Sequence, residues 1–176
     1  MHMDKIIFKT SIIFVLLFSS LSCSADKSIS ADFTDGIKLT LTTKPFDSKA
    51  HQVKRCGKRD IPCFIDGKIF YGGRGKLPKE EVVSLEFIRK GKRLNLDVSS
   101  IYNTGITQDN IKKRFNVQRY LGKNTYRLIG YFGPKEKPFI AHWLVREDGS
   151  IRNHLSDYES LNSLMFEVKK DLKINH

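Results

Sequence analysis

Long apolar runs are missing from this sequence. The longest is Ile12-Ile13-Phe14-Val15-Leu16-Leu17-Phe18, and about 20 such residues are needed to span a bilayer. The run is too short to cross as a helix. Cysteine is scarce as well: three in 176 residues do not make a disulfide-built mini-scaffold. The sequence also lacks the common catalytic strings: Gly-x-Ser-x-Gly, His-Glu-x-x-His and the calcium loop. Acidic residues are outnumbered, with 19 Asp and Glu against 31 Lys and Arg, which leaves a formal charge of +12. Such a surface favours anionic partners, namely phospholipid head groups, envelope polymers, an acidic protein or nucleic acid. A basic surface that is merely solvated accounts for the charge equally well.

What is present begins with Met1 to Ser22. Lys5 and Lys9 precede the apolar run, and Ser19-Ser20-Leu21-Ser22 follow it. This is the three-part layout of a secretory signal peptide over residues 1–22, with a transmembrane anchor as the competing reading. Ser20-Leu21-Ser22-Cys23 resembles the lipobox of bacterial lipoproteins. The resemblance implies lipidation of Cys23 and, with Ser24 next, an outer-membrane lipoprotein facing the periplasm. Several acyl chains would anchor stably, since each buried methylene contributes about 0.8 kcal/mol. The alternative is cleavage near Ser22, Ser24 or Ala25, leaving a soluble periplasmic protein. Removing residues 1–22 takes away Lys5, Lys9 and Asp4 and lowers the charge from +12 to +11. Export argues against nucleic acid as the partner.

An oxidising compartment favours a bridge between Cys56 and Cys63. Gly57 and Pro62 suit the turn between them. Zinc would need more ligands than two cysteines; His51 is close by, but no fourth candidate is evident. No metal or cofactor is expected.

Residues 23–32, the lipidated cysteine and a small polar stretch, suggest a flexible tether. Residues 33–176 then form one globular domain. Ile37, Leu39 and Leu41 alternate with polar residues as a half-buried strand ending at Pro45. Asp66-Gly67 between apolar runs predicts a two-residue hairpin turn. Gly72-Gly73-Arg74-Gly75-Lys76 lacks the full phosphate-binding loop pattern and suits a surface loop. Val83, Leu85 and Phe87, then Leu94, Leu96 and Val98, predict a second hairpin about Arg89-Lys90-Gly91-Lys92. Residues 111–121 fit a strand or a short helix from Thr107. Thr125–Phe132 is rich in β-formers. Phe139, Ala141, Trp143 and Val145 share one strand face, and Ile151–Leu155 follow a turn. Ser156-Asp157-Tyr158-Glu159 has the form of a capping box. It predicts a helix with Leu161, Leu164, Met165, Val168 and Leu172 on one stripe. The fold class is therefore β-rich α+β, an antiparallel sheet of hairpins with a C-terminal amphipathic helix on one face.

Candidate chemistry is thin. His142 and His154 sit on strands that could be neighbours and could approach each other. Tyr71, Arg74, Tyr102, Arg114, Arg119 and Tyr120 mix rings and cations in or near loops, residue types enriched at interfaces. Asp66-Gly67-Lys68-Ile69-Phe70-Tyr71-Gly72, Leu77-Pro78-Lys79, Ile101-Tyr102-Asn103, His142-Trp143-Leu144-Val145-Arg146 and Leu155-Ser156-Asp157 together resemble segments of small exported immunity-type proteins encoded beside bacterial antibacterial toxins. The resemblance implies action by occlusion, with no catalytic residue and no small-molecule substrate. Expected binding residues are Tyr71, Arg74, Lys76 and Tyr102, on loops that interrupt the strands. The leading function is a non-enzymatic envelope lipoprotein that binds another macromolecule, with a toxin as the candidate partner. The alternatives are a structural or surface-adhering envelope protein that binds anionic lipid or polymer, and a hydrolase of unrecognised type.

Overall fold

The computed structural model describes residues 25–120 and 124–157. Among these residues, eleven strands build three antiparallel sheets. The first sheet holds β1 (Lys27–Phe33), β2 (Ile37–Pro45), β6 (Glu80–Arg89) and β7 (Lys92–Leu96), in the order β1-β2-β6-β7. The second holds β8 (Phe115–Arg119), β9 (Tyr126–Phe132), β10 (Phe139–Val145) and β11 (Ser150–Asp157), in the order β11-β10-β9-β8. The third is small, with β3 (Val53–Cys56), β4 (Ile61–Ile65) and β5 (Lys68–Ile69). A one-turn helix, α1 (Ile111–Arg114), leads directly into β8, so the stretch 111–121 that read as strand or helix contains both.

Strand alternation sets the core. Ile37, Leu39 and Leu41 of β2 point inward with Leu85 and Phe87 of β6 and Leu96 of β7. They share one cluster with Phe139, Ala141, Trp143 and Val145 of β10 and with Tyr126, Leu128 and Phe132 of β9. Each large apolar side chain moved fully out of water contributes about 1.5–3 kcal/mol. Trp143 is wholly buried, and its indole N–H donates to the Asp97 carbonyl at 2.8 Å, so the ring leaves no polar atom unsatisfied. Gly130 is fixed by packing: a Cβ there would stand 2.6 Å from the Phe132 ring and 2.9 Å from the Phe115 ring.

Side chains seal the edges of the two large sheets. On one side, Gln108 brackets Ser30 of β1, accepting from its N–H at 3.2 Å and donating to its carbonyl at 2.8 Å. Nearby, Arg119 of β8 pairs with Asp35 at 2.8 Å. On the other side, Arg152 of β11 donates to the carbonyl and hydroxyl of Ser99 and pairs with Asp97 beyond β7.

Three sequence expectations change. The stretch read as a tether is structured from Lys27: β1 pairs with β2 from Lys27 opposite Thr43 to Phe33 opposite Ile37, with Ile29 and Ala31 buried. The domain therefore starts at Lys27, not Phe33. An edge strand needs only two inward apolar residues here, and serines occupy its other face. Val83 does not face inward as its alternation suggests. Thr42 pairs with Ser84 and Thr43 with Val82, so Val83 is the extra residue of a bulge and is exposed. Ser156 is not a helix cap but lies in β11 opposite Ile140. The predicted C-terminal helix lies outside the described residues.

The hairpin turns form as expected. Asp66 and Gly67 both take positive φ, as do Lys90 and Gly91 between β6 and β7. A disulfide joins Cys56 to Cys63, with their Cα atoms 5.8 Å apart, across the β3–β4 hairpin.

Candidate functional site

After β5 the chain leaves the small sheet through Phe70 and Tyr71, and its path is set by a second loop, residues 97–105. Tyr71 N–H donates to the Ser100 carbonyl at 2.9 Å, and Tyr102 N–H donates to the Tyr71 carbonyl at 3.1 Å. Asn103 is the hub. Its side-chain oxygen accepts from the N–H groups of Lys79 and Glu80, and its amide donates to the Gly72 carbonyl at 2.9 Å. Thr104 is fully buried. Its N–H and its hydroxyl both donate to the Glu80 carboxylate, at 3.2 and 2.9 Å.

The glycines of this loop serve the fold. A Cβ on Gly72, whose φ is +98°, would lie 2.1 Å from the Tyr102 carbonyl oxygen; one on Gly73 would lie 2.0 Å from the Phe70 ring. Those contacts draw the loop tight against the body. Arg74 is left at the tip of a turn closed by Lys76 N–H to the Gly73 carbonyl at 2.9 Å.

Tyr71 and Arg74 line one cleft of about 330 Å³ with Phe70, Lys137, Phe139 and Asp157. The Tyr71 ring lies 5.9 Å from that of Phe139, and Pro134 and Pro138 also line the cleft. The half-buried Tyr71 ring over the buried Phe139, with two cations, Arg74 and Lys137, and one carboxylate, Asp157, makes a mixed surface of the kind enriched at interfaces. Lys76 is exposed but not part of the cleft. Tyr102 corrects the sequence expectation: it is 8 % exposed, with Phe46 and Phe70 edge-on to its ring at 5.7 and 5.8 Å. Burial, then the carboxylates of Asp66 and Glu81, push its hydroxyl up to about 12. It is a core contact beneath the site.

Beside Tyr102 lies a cluster that sequence reasoning missed. His51 Nδ1 is 2.7 Å from the Asp66 carboxylate, and its Nε2 is 2.7 Å from that of Glu81. Glu81 is buried and also meets Lys44 at 2.8 Å. Phe46 stacks on the imidazole at 4.8 Å. Burial works against a charge on His51, but the two carboxylates outweigh it and raise its pKa above the usual histidine value. Both ring nitrogens are engaged, so His51 has no lone pair for a metal or a proton from substrate. It ties the small sheet, through Asp66, to β6, through Glu81. These residues follow no sequence period, and only the fold reveals the cluster.

His142 and His154 do face each other across β10 and β11. His142 Nε2 is buried without a hydrogen-bond partner, and burial, followed by Arg127 and His154, lowers its pKa. Among the described residues, no three His, Cys, Asp or Glu side chains converge as metal ligands do. Arg114 is half-buried, Arg119 is paired with Asp35, and Tyr120 is exposed at the end of β8, all apart from the Tyr71 cleft. No family model, curated protein or solved structure matches this chain.

Proposed function

We propose that the chain is a non-enzymatic, exported envelope lipoprotein, acylated at Cys23, that binds another macromolecule by surface complementarity. An immunity-type role, in which it occludes an antibacterial toxin, is the form this binding takes. The observation that carries the reading is the cleft beside the β5–β6 loop. There the Tyr71 and Phe139 rings, the cations Arg74 and Lys137 and the Asp157 carboxylate line one cleft beside a loop that Asn103 ties down. The positive charge of the chain steers an acidic partner, so electrostatics act mainly on the rate of encounter.

The test is affinity capture from envelope extracts with the wild-type chain and with Arg74→Glu/Lys137→Glu. Both cations are exposed, so the double variant keeps its fold. Wild type retains a specific protein. The variant captures it at least about tenfold more weakly at low salt, and the salt dependence flattens. Equal capture by both would remove the cleft from the interface and leave the second reading, adhesion to anionic lipid or polymer through diffuse charge.

A further inference from the structure

A second cavity opens at the other end of the large sheets, away from the Tyr71 cleft. Its floor is apolar: Phe87 and Leu94 from the first sheet, Tyr126 and Val145 from the second. Four cations stand around it, Arg89, Lys90, Lys92 and Arg146, and Glu147 is the one carboxylate among its lining residues. The volume is about 260 Å³.

Arg89 is the informative residue. Its guanidinium lies 5.0 Å from the centre of the Tyr126 ring, held over the cavity floor. Its Nε is buried and has no hydrogen-bond partner. Buried charged donors are usually paired, because each one left unsatisfied costs free energy. The nearby Asp35 carboxylate is taken by Arg119 at 2.8 Å and by the Tyr126 hydroxyl at 3.4 Å. Lys92 Nζ is turned to the Glu147 backbone carbonyl.

We infer that this cavity binds a small soluble amphiphilic anion, with one apolar group of roughly ring size carrying a carboxylate, sulfonate or phosphate head. The apolar group rests on the floor formed by Phe87, Leu94 and Val145, and the head meets the Arg89 guanidinium over that floor and Arg146 at the rim. Size sets the class: about 150 Å³ holds benzene, so the cavity's about 260 Å³ matches one ring with a short spacer. This site is independent of the macromolecular interface proposed above, with which it shares no residue.

The test uses three matched probes, 4-phenylbutyrate, 4-phenyl-1-butanol and 4-phenylbutylamine, titrated calorimetrically into the purified chain. The acid binds saturably at one site, the alcohol binds about tenfold more weakly, and the amine does not bind. Arg89→Gln weakens the acid by about tenfold, as expected for a lost charge-assisted hydrogen bond. Arg146→Glu, at an exposed rim position, weakens it at least as much, so the result does not depend on how Arg89→Gln folds. Equal affinity for acid and alcohol, or acid binding unchanged in both variants, overturns the inference. Displacement of the bound acid by phosphatidylglycerol vesicles overturns the assignment to a soluble ligand.

Discussion

Each ring nitrogen of His51 faces a carboxylate, so its titration is tied to how the small sheet docks. With a pKa raised in the folded chain, His51 stabilises most fully below the ordinary histidine value of 6.5, and that contribution is lost as pH rises through the raised value. Asp66 works in the opposite sense. Its pKa is lowered, by the His51 hydrogen bond first, so its share is present above 3.8 and lost as pH falls through the lowered value. The tie is therefore strongest from about pH 4 to about 6.5. His51→Gln destabilises by about 1–3 kcal/mol near pH 6 by leaving the Glu81 carboxylate short of a partner. Thermal melts of wild type and variant, followed against pH, should draw together as pH rises through the raised value. A constant gap across that range would show that His51 acts by packing on Phe46 alone.

At the scale of elements, alternation made several strands legible. β2, the inward face of β10, and the turns at Asp66-Gly67 and Lys90-Gly91 follow directly from period and turn chemistry. What failed had physical reasons. β1 is serine-rich, and its pairing with β2 makes it a strand where composition suggested linker. The bulge at Val83 breaks a period that looks continuous in the sequence. Ser156 has the chemistry of a cap, but β10 offered it a ladder. At the cleft, Tyr71 and Arg74 were legible as a loop aromatic and a loop cation. Tyr102 was not, because its burial depends on Phe46 and Phe70 arriving from distant segments.

The disulfide spans the β3–β4 hairpin with a sequence separation of 7, so chain entropy assigns it roughly 2 kcal/mol. Reduction should lower the melting temperature and speed amide exchange in Val53–Ile65, while β9 and β10 keep their protection. Loss of protection throughout both large sheets would mean that the small sheet is part of the cooperative core.

At the scale of the whole molecule, two sheets share one core and are closed along their edges by side chains instead of by a continuous ladder. Arg152 with Ser99 and Gln108 with Ser30 stand where strand pairing would otherwise run. Direction along the sheets then acquires meaning, because β1 begins at Lys27 and Cys23 precedes it by four residues. A chain of that length reaches about 14 Å at full extension. An acylated Cys23 would therefore act as a short leash, and Cys23→Ser would release the protein from the membrane fraction. Lys27, Lys44 and Lys79 gather at the end of the sheet where β1 begins, and an acylated Cys23 would bring anionic head groups to them. Arg89 and its cavity lie about 20 Å along β1 in the other direction, since Phe33 pairs with Ile37 and Ile37 with Arg89. Held this way, the molecule would turn its Lys27 end toward lipid and its Arg89 cavity toward the aqueous space.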